Sequence, residues 1–123
     1  MSAKPAKRPP HLRAALPPAA MELIAARFRA MGEPIRLRLL QTLEHGEQSV
    51  TALTRAVGST QPNVSKHLKV LQEVGLVGRR QQGNIAYFFI AEPVVFELCE
   101  MVCKGMRERL EAQIGFLSGR SVN

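Results

Sequence analysis

The chain has 123 residues, and its 17 lysines and arginines outnumber its ten acidic residues, which gives a formal net charge of +7. All of the acidic residues are glutamate, and without aspartate the chain has neither an EF-hand calcium loop nor a Ser-His-Asp triad. Two cysteines are too few for a disulfide framework. No stretch has the roughly 18 apolar residues of a membrane helix. The excess of basic residues favours nucleic acid over a membrane surface as the binding partner.

The N-terminal segment, residues 1–19, is basic and rich in proline. Four basic and no acidic side chains lie in the first 20 residues, together with five of the eight prolines. Because proline interrupts helices and such a segment buries little apolar surface, we expect a disordered arm. Its role is either to keep the protein soluble or to contact DNA phosphates without sequence preference. Its apolar run before Pro17 is too short for a secretory signal.

The first two helices are predicted by apolar residues at helical spacing between proline and glycine. The first covers about residues 20–31 and stops at Gly32, where glycine favours a helix end. The second covers about residues 34–44 and starts at Pro34, because proline is tolerated in a first helical turn.

The third and fourth helices are predicted at about residues 50–57 and 60–74, joined by a short turn around Gly58. Ser49 and Ser59 precede them, and serine is a favoured N-cap because its hydroxyl accepts from a free amide of the first turn. Such a closely joined pair is typical of a helix-turn-helix. The side chains predicted to face the core are Leu53, Ala56, Val57, Val64, Leu68 and Leu71.

After the fourth helix the sequence predicts a β-hairpin and then a long helix. Residues 76–81 and 85–90 form the hairpin strands, with Gly and Asn in the turn between them. The last helix covers about residues 93–117. The fold class is therefore mainly α with a small hairpin, a winged helix-turn-helix of element order ααααββα.

We expect one folded domain over residues 20–117, followed by a flexible C-terminus, residues 118–123. The first and last helices have apolar faces that so small a core does not fully cover. Unburied apolar faces usually meet a partner, and this predicts a symmetric homodimer through these two helices. The expected interface residues are Ile24, Phe28, Val95, Val102, Met106 and Leu110.

Three blocks of the chain resemble the ArsR/SmtB family of winged-helix repressors. They are residues 28–40 (FRAMGEPIRLRLL), residues 61–71 (QPNVSKHLKVL), and residues 75–83, with Gly75-Leu76-Val77, Arg79-Arg80 and Gly83. The first resembles the opening of the family's domain, the second its recognition helix and the third the entry to its wing. The resemblance implies a dimeric bacterial repressor that binds a palindromic operator and releases it on sensing a metal, a metalloid or a redox signal.

The chain departs from the family's pattern at its effector sites. Glu33 stands where the family's motif has Asp. Residues 49–53 contain no cysteine, whereas the arsenic and cadmium branches often carry Cys-x-Cys there. The last helix contains no Asp or His, the ligands of the zinc branch. The effector sites common in the family are thus absent from the sequence.

The polar side chains of the fourth helix and the hairpin are predicted to contact DNA. Recognition helices present their N-terminal residues to base edges; Gln and Asn pair with adenine, and Lys suits phosphates. The competing interpretation is an ordinary solvated helix face, and for His67 a local hydrogen bond that orients the helix. The candidate contacts are Ser49, Gln61, Asn63, Ser65, Lys66, His67, Lys69, Arg79, Arg80 and Asn84.

Cys99 and Cys103 are four residues apart and share one face of the last helix. One interpretation is that both are buried residues of the dimer interface, since free cysteine behaves as a small hydrophobe. The other is a dithiol sensor for arsenite, another soft metal ion or an oxidant, because thiolates select soft ions. A third thiolate would then come from the other subunit, and tetrahedral zinc fits less well.

The sequence as a whole predicts a sequence-specific, DNA-binding transcriptional repressor that is released by a thiol-reactive effector and requires no cofactor. The alternative is a regulator or an architectural DNA-binding protein without an effector. An enzyme is not expected, because no Gly-rich phosphate loop, HExxH motif or carboxylate cluster is present in the sequence. The expected partners are double-stranded operator DNA and a second copy of the chain, at the nucleoid of a bacterial cytoplasm.

Overall fold

The computed structural model describes residues 15–119. Most of the predicted N-terminal arm and the last four residues of the predicted C-terminal segment lie outside the described residues. The described elements are, in chain order, α1 (Pro18–Met31), α2 (Pro34–Leu43), β1 (Gln48–Ser49), α3 (Val50–Val57), α4 (Gln61–Glu73), β2 (Val77–Gln82), β3 (Ile85–Ile90) and α5 (Val94–Leu117). The predicted helices and hairpin are confirmed, each within two residues of its predicted limits.

Helix α1 begins at Pro18, two residues earlier than predicted. Pro17 is the N-cap and Pro18 occupies the first helical turn. A proline there removes an amide that would have no helical partner, so the Pro-Pro pair starts the helix rather than preventing it. At the other end, the amide of Gly32 donates to the carbonyls of Phe28 and Arg29 and terminates the helix.

Side-chain caps start the next three helices. The carboxylate of Glu33 accepts from the amide of Arg36 at 3.0 Å and caps α2. Ser49 caps α3 as predicted, accepting from the amide of Ala52 at 3.1 Å. The predicted cap of α4 is wrong by one residue, because α4 begins at residue 61 and its N-cap is therefore Thr60.

The sheet has a third strand that the sequence did not predict. The strand order is β1-β3-β2, with antiparallel pairing throughout. Strand β1 has two residues, Gln48 and Ser49, which pair with Phe88 and Tyr87 of β3. Two residues are too few to show the alternation by which a strand is recognised. The element order over the described residues is therefore ααβααββα rather than ααααββα.

Strands β2 and β3 form the hairpin with full register from the Val77–Ile90 pair to the Gln82–Ile85 pair. The connection has two residues, and Gly83 adopts a φ of 59°. A two-residue hairpin turn requires positive φ at a central position, which glycine adopts without steric cost. The hairpin therefore projects beside α4 with a tight, well-defined tip.

The hydrophobic core lies between α2, α3, α4 and the hairpin. Its largest completely buried side chains are Leu39, Leu40, Leu53, Val64, Leu68 and Leu71. The prediction that Ala56 faces this core is wrong, because Ala56 is exposed while Val57 is half-buried. The two-turn helix α3 meets the core along the line from Leu53 to Val57, and Ala56 lies to the side of that line.

Helix α5 packs on the core only through its first turns. Val95 is 3% exposed and lies in the core of its own protomer. The prediction that Val95 belongs to a dimer interface is therefore wrong. From Glu100 to Ile114 every residue of α5 is exposed. Within residues 15–119, no helix is both long and apolar enough to cross a membrane.

Candidate nucleic-acid interface

A groove of about 480 Å³ runs between helix α4 and the hairpin. Lys69 projects into it from α4 and Arg79 from β2, and none of the lining residues is acidic. A groove with two cations and no carboxylate in its lining attracts an anionic ligand. Its lining residues are Val50, Thr51, Gln61, Ser65, Lys69, Gln72, Arg79, Asn84, Ile85, Ala86 and Phe88.

The groove brings together half of the ten DNA contacts that the sequence predicted: Gln61, Ser65, Lys69, Arg79 and Asn84. It also contains Thr51, Gln72 and Ile85, which sequence reasoning missed. Gln72 had a detectable signal, because it continues the helical face of residues 61, 65 and 69 by one turn. Thr51 and Ile85 had none, since only the tertiary fold places α3 and the hairpin tip beside α4.

Three further predicted DNA contacts, on α4 and at the start of α3, differ in exposure. Lys66 is exposed but lies outside the groove lining. Asn63 is half-buried, and its side-chain amide donates to the hydroxyl of Ser59 at 2.9 Å. Ser49 is half-buried and holds the first turn of α3 through its hydroxyl.

The placement of His67 on the polar face of α4 is a prediction that the structure contradicts. The residue is only 8% exposed, and Arg36 donates from Nη1 to its Nδ1 at 3.0 Å. The periodicity contained the signal, because residue 67 follows Val64 by three positions and precedes Leu71 by four, which is the inward face. His67 therefore matches the alternative interpretation, a hydrogen bond that orients the helix.

Arg79 and Arg80 point to opposite faces of the hairpin, because successive side chains of a strand alternate. Arg79 lines the groove, and its guanidinium donates to Gln81 at 2.6 Å. Arg80 binds both carboxylate oxygens of Glu47, at 2.6 and 3.1 Å, and its guanidinium carbon lies 4.8 Å from the centre of the Tyr87 ring. The structure therefore brings one of the two predicted arginines into the groove.

The Glu47–Arg80 pair is exposed to solvent but well formed. The hydrogen bond from Arg80 holds the pKa of the Glu47 carboxyl below its ordinary value. The same bond raises the pKa of the Arg80 guanidinium. Both groups are charged near neutral pH, so Arg80 contributes little net positive charge to a ligand on its side of the hairpin.

A second, apolar groove of about 620 Å³ lies between α1, α2 and α5. Phe28, Val102, Met106 and Leu110 are between 53% and 60% exposed within it, and Ile24, 37% exposed, lines the adjoining depression. Five of the six predicted interface residues therefore lie on one exposed apolar surface. The groove is lined by Phe28, Met31, Gly32, Leu37, Leu98, Cys99, Val102, Cys103, Met106, Arg107 and Leu110.

The two cysteines lie in the wall of this apolar groove and differ in environment. Cys99 is half-buried, and burial, followed by the nearby charge of Glu44, raises the pKa of its thiol. Cys103 is exposed, and its sulfur accepts from Nη2 of Arg107 at 3.7 Å. Among residues 15–119, no group of three or more potential metal ligands is close enough to hold an ion.

The chain is similar to known transcriptional regulators over the segment that forms this site. A family model described as a helix-turn-helix domain matches residues 31–80, which contain α2, α3, α4 and the start of β2. The chain is 33% identical to an HTH-type transcriptional regulator of Methanocaldococcus jannaschii over 82 residues, which is 66% of the chain and 92% of that relative.

Two further relatives have more specific names. The chain is 37% identical over 71 residues to a probable mercury resistance operon repressor of Streptomyces lividans, covering 58% of the chain and 57% of the repressor. Among solved structures, it resembles the homodimeric winged helix-turn-helix DNA-binding domain of a possible ArsR-family regulator from Mycobacterium bovis. That match has a TM-score of 0.68 and 32% identity over 76% of this chain and 87% of the other.

Proposed function

The chain belongs to the ArsR/SmtB family of winged-helix transcriptional repressors, which bind DNA and are not enzymes, and on this premise we propose that it is a sequence-specific repressor acting as a homodimer on a palindromic operator. The observation that carries the proposal is the groove between α4 and the hairpin, which has cations and amides in its lining and no carboxylate. A protein that binds operator DNA would be located at the nucleoid, in the bacterial cytoplasm.

The proposed docking puts the exposed face of α4 in the major groove of the operator. Gln61 and Ser65 lie in its first turns, where recognition helices meet base edges, and glutamine pairs with adenine through two hydrogen bonds. Lys69 from α4 and Arg79 from β2 both line the groove and would contact the phosphates of one strand. Asn84 at the hairpin tip then reaches the adjacent minor groove.

The homodimer is proposed to form through α1 and α5. Exposed apolar side chains are concentrated on these two helices, and a two-fold axis would pair each apolar groove with the same surface of the second copy. Two recognition helices related by this axis would read half-sites one or more helical turns apart. The homodimeric state of the similar Mycobacterium bovis domain supports this arrangement.

Replacement of Arg79 and Arg80 by alanine, one at a time, tests the docking. Arg79→Ala should weaken binding to operator and random duplex alike and lower the salt slope by about 1, because one phosphate contact is lost. Arg80→Ala is the matched control: its cation is already neutralised by Glu47, so a much smaller effect is expected. Affinities from fluorescence anisotropy at several salt concentrations measure both. Equal losses in the two variants would contradict the docking.

We propose further that a thiol-reactive effector releases the repressor from its operator. Cys99 and Cys103 lie one helical turn apart, and thiolates select soft ions such as trivalent arsenic. Because the cysteines belong to no group of three or more potential ligands among residues 15–119 that could hold an ion, an ion would need a donor from the second copy. The name of the Streptomyces lividans relative, a probable mercury resistance operon repressor, supports a soft-metal effector for this chain as well.

A second candidate function is a repressor without an effector. Both cysteines line the apolar groove proposed for dimerisation, where free cysteine serves as a small hydrophobe. Their position in that groove favours a role as interface residues over a sensor that needs open access to solvent.

Serine variants of the cysteines decide between the two candidates. If the thiols sense the effector, arsenite or an organic mercurial should release wild type from operator, while Cys99→Ser, Cys103→Ser and the double variant should remain bound. The raised pKa of Cys99 means that thiolate formation there, and hence binding that requires it, increases as pH rises. Measuring operator release at two pH values tests both the loss of response in the serine variants and the increase of the wild-type response with pH. Identical release of wild type and the double variant would remove the cysteines from sensing.

A further inference from the structure

His67 is buried in the middle of the recognition helix and makes a polar contact outside its own helix. The residue is 8% exposed, and its Nδ1 atom lies 3.0 Å from Nη1 of Arg36 on α2. Arginine has only donors, so Nδ1 accepts this bond and bears no proton. The carboxylate of Glu33 is 3.9 Å from the same atom, beyond hydrogen-bond distance, and is engaged with the amide of Arg36.

The same guanidinium also binds the last turn of α1. Nε of Arg36 donates to the carbonyl of Ala30 at 2.6 Å, and Nη2 donates to the carbonyl of Arg29 at 3.2 Å. Carbonyls at a helix C-terminus lack helical partners and favour a cation. Arg36 therefore joins three helices, α1, α2 and α4, through one planar group whose donors have fixed directions.

An ion pair lies against the C-terminal end of α4. Nη1 of Arg27 on α1 is 2.6 Å from the carboxylate of Glu92, which precedes α5. This pair covers Gly75, the second residue after α4: a Cβ atom there would lie 3.4 Å from Nη2 of Arg27 and 3.9 Å from Oε1 of Glu92. Helix α1 therefore meets the recognition helix near its middle and near its end, through two different arginines.

We propose that the Arg36–His67 contact is a positioning contact, which sets the orientation of the recognition helix relative to α1 and thereby the separation of the two recognition helices in the dimer. This inference rests on the proposed function, because it assumes a dimer that reads a palindrome. Rigid placement matters there, since two half-sites are read together only if both helices have the correct spacing. Neither residue needs to touch DNA for this role.

Two replacements of His67 separate its acceptor from its volume. His67→Asn keeps an acceptor oxygen close to the position of Nδ1. His67→Leu has the same shape as asparagine at the branch but no acceptor, and it leaves the Nη1 donor of Arg36 without its partner. The probe is the palindromic duplex that wild-type protein selects from a random DNA pool, together with versions whose central spacer is one or two base pairs longer or shorter.

We expect wild type and His67→Asn to prefer one spacer strongly. His67→Leu should bind that duplex about tenfold more weakly and should discriminate less between spacers, because a recognition helix with altered or variable orientation accepts several separations. Its binding to random duplex and its salt slope should stay at the wild-type values, since the phosphate contacts are intact. A general loss of folded structure would instead lower all of these affinities together.

Unchanged spacer preference in His67→Leu would overturn the inference, as would equal losses of operator and random-duplex binding. If His67→Leu does not fold, as judged by circular dichroism, Arg36→Lys serves as the test, because an ammonium cannot reach three acceptors in fixed directions at once. It too is expected to weaken spacer discrimination, and a wild-type spacer preference would contradict the inference. Failure of wild type to select any sequence would count against the proposed function instead.

Discussion

Replacing Met106 with arginine is expected to yield a monomer that no longer binds operator. Met106 is 60% exposed in the protomer and lies in the apolar groove between α1, α2 and α5. In the proposed dimer it becomes buried, and an unpaired buried cation costs several kcal/mol. Symmetry places two such cations in each dimer, so the dimer dissociation constant should rise by more than about 100-fold.

Met101→Arg is the matched control. Met101 lies on the same helix and is 69% exposed, but it is not part of the apolar groove. The same substitution there should leave the dimer and its operator affinity unchanged. Sedimentation velocity over a range of concentrations measures the first quantity and a mobility shift the second. Dissociation of both variants, or of neither, would mean that this groove is not the interface.

Leu68→Ala is expected to have the largest effect on stability. Leu68 is completely buried on the inner face of α4, next to the edge of the helix that lines the DNA groove. Removing a buried leucine side chain leaves a cavity and typically lowers the free energy of unfolding by 2–5 kcal/mol. Urea unfolding followed by circular dichroism at a fixed protein concentration measures it.

Leu23→Ala is the control for the loss of stability expected in Leu68→Ala. Leu23 is a leucine on a helix as well, but it is 71% exposed and is outside the described core. Its replacement should change the free energy of unfolding by no more than about 0.5 kcal/mol. A small effect of Leu68→Ala would indicate that α4 is not seated on the core as described, which would also remove the support for the docking of its outer face.

The succession of elements could be predicted from the sequence because it depends on local chemistry. Apolar residues at helical spacing predicted the five helices of residues 15–119, and glycine and asparagine predicted the hairpin turn. The cap of α3 was predicted for the same reason, since Ser49 needs only the amide of Ala52 three residues away. Strand β1 was not, because its two residues become a strand only through their partners Phe88 and Tyr87.

The periodicity of α4 predicted part of the candidate site, but contacts with distant residues decide which predicted side chains belong to it. Gln61, Ser65 and Lys69 follow from the outer face of α4 alone. The exclusion of His67 from that face depends on Arg36, which is 31 residues away in the chain. Similarly, the different roles of Arg79 and Arg80 depend on Glu47, 33 residues from Arg80.

The sequence by itself therefore determined the order of the helices, the place of the hairpin, the family and the excess of positive charge. Only the tertiary structure decided which of those charges face a common groove, that Val95 is buried within the protomer, and that His67 joins the recognition helix to α2. The physical reason is the separation in sequence between the residues that interact. Helical periodicity, capping and turns act over three or four residues, whereas burial, ion pairing and groove shape depend on residues that the fold brings together from distant parts of the chain.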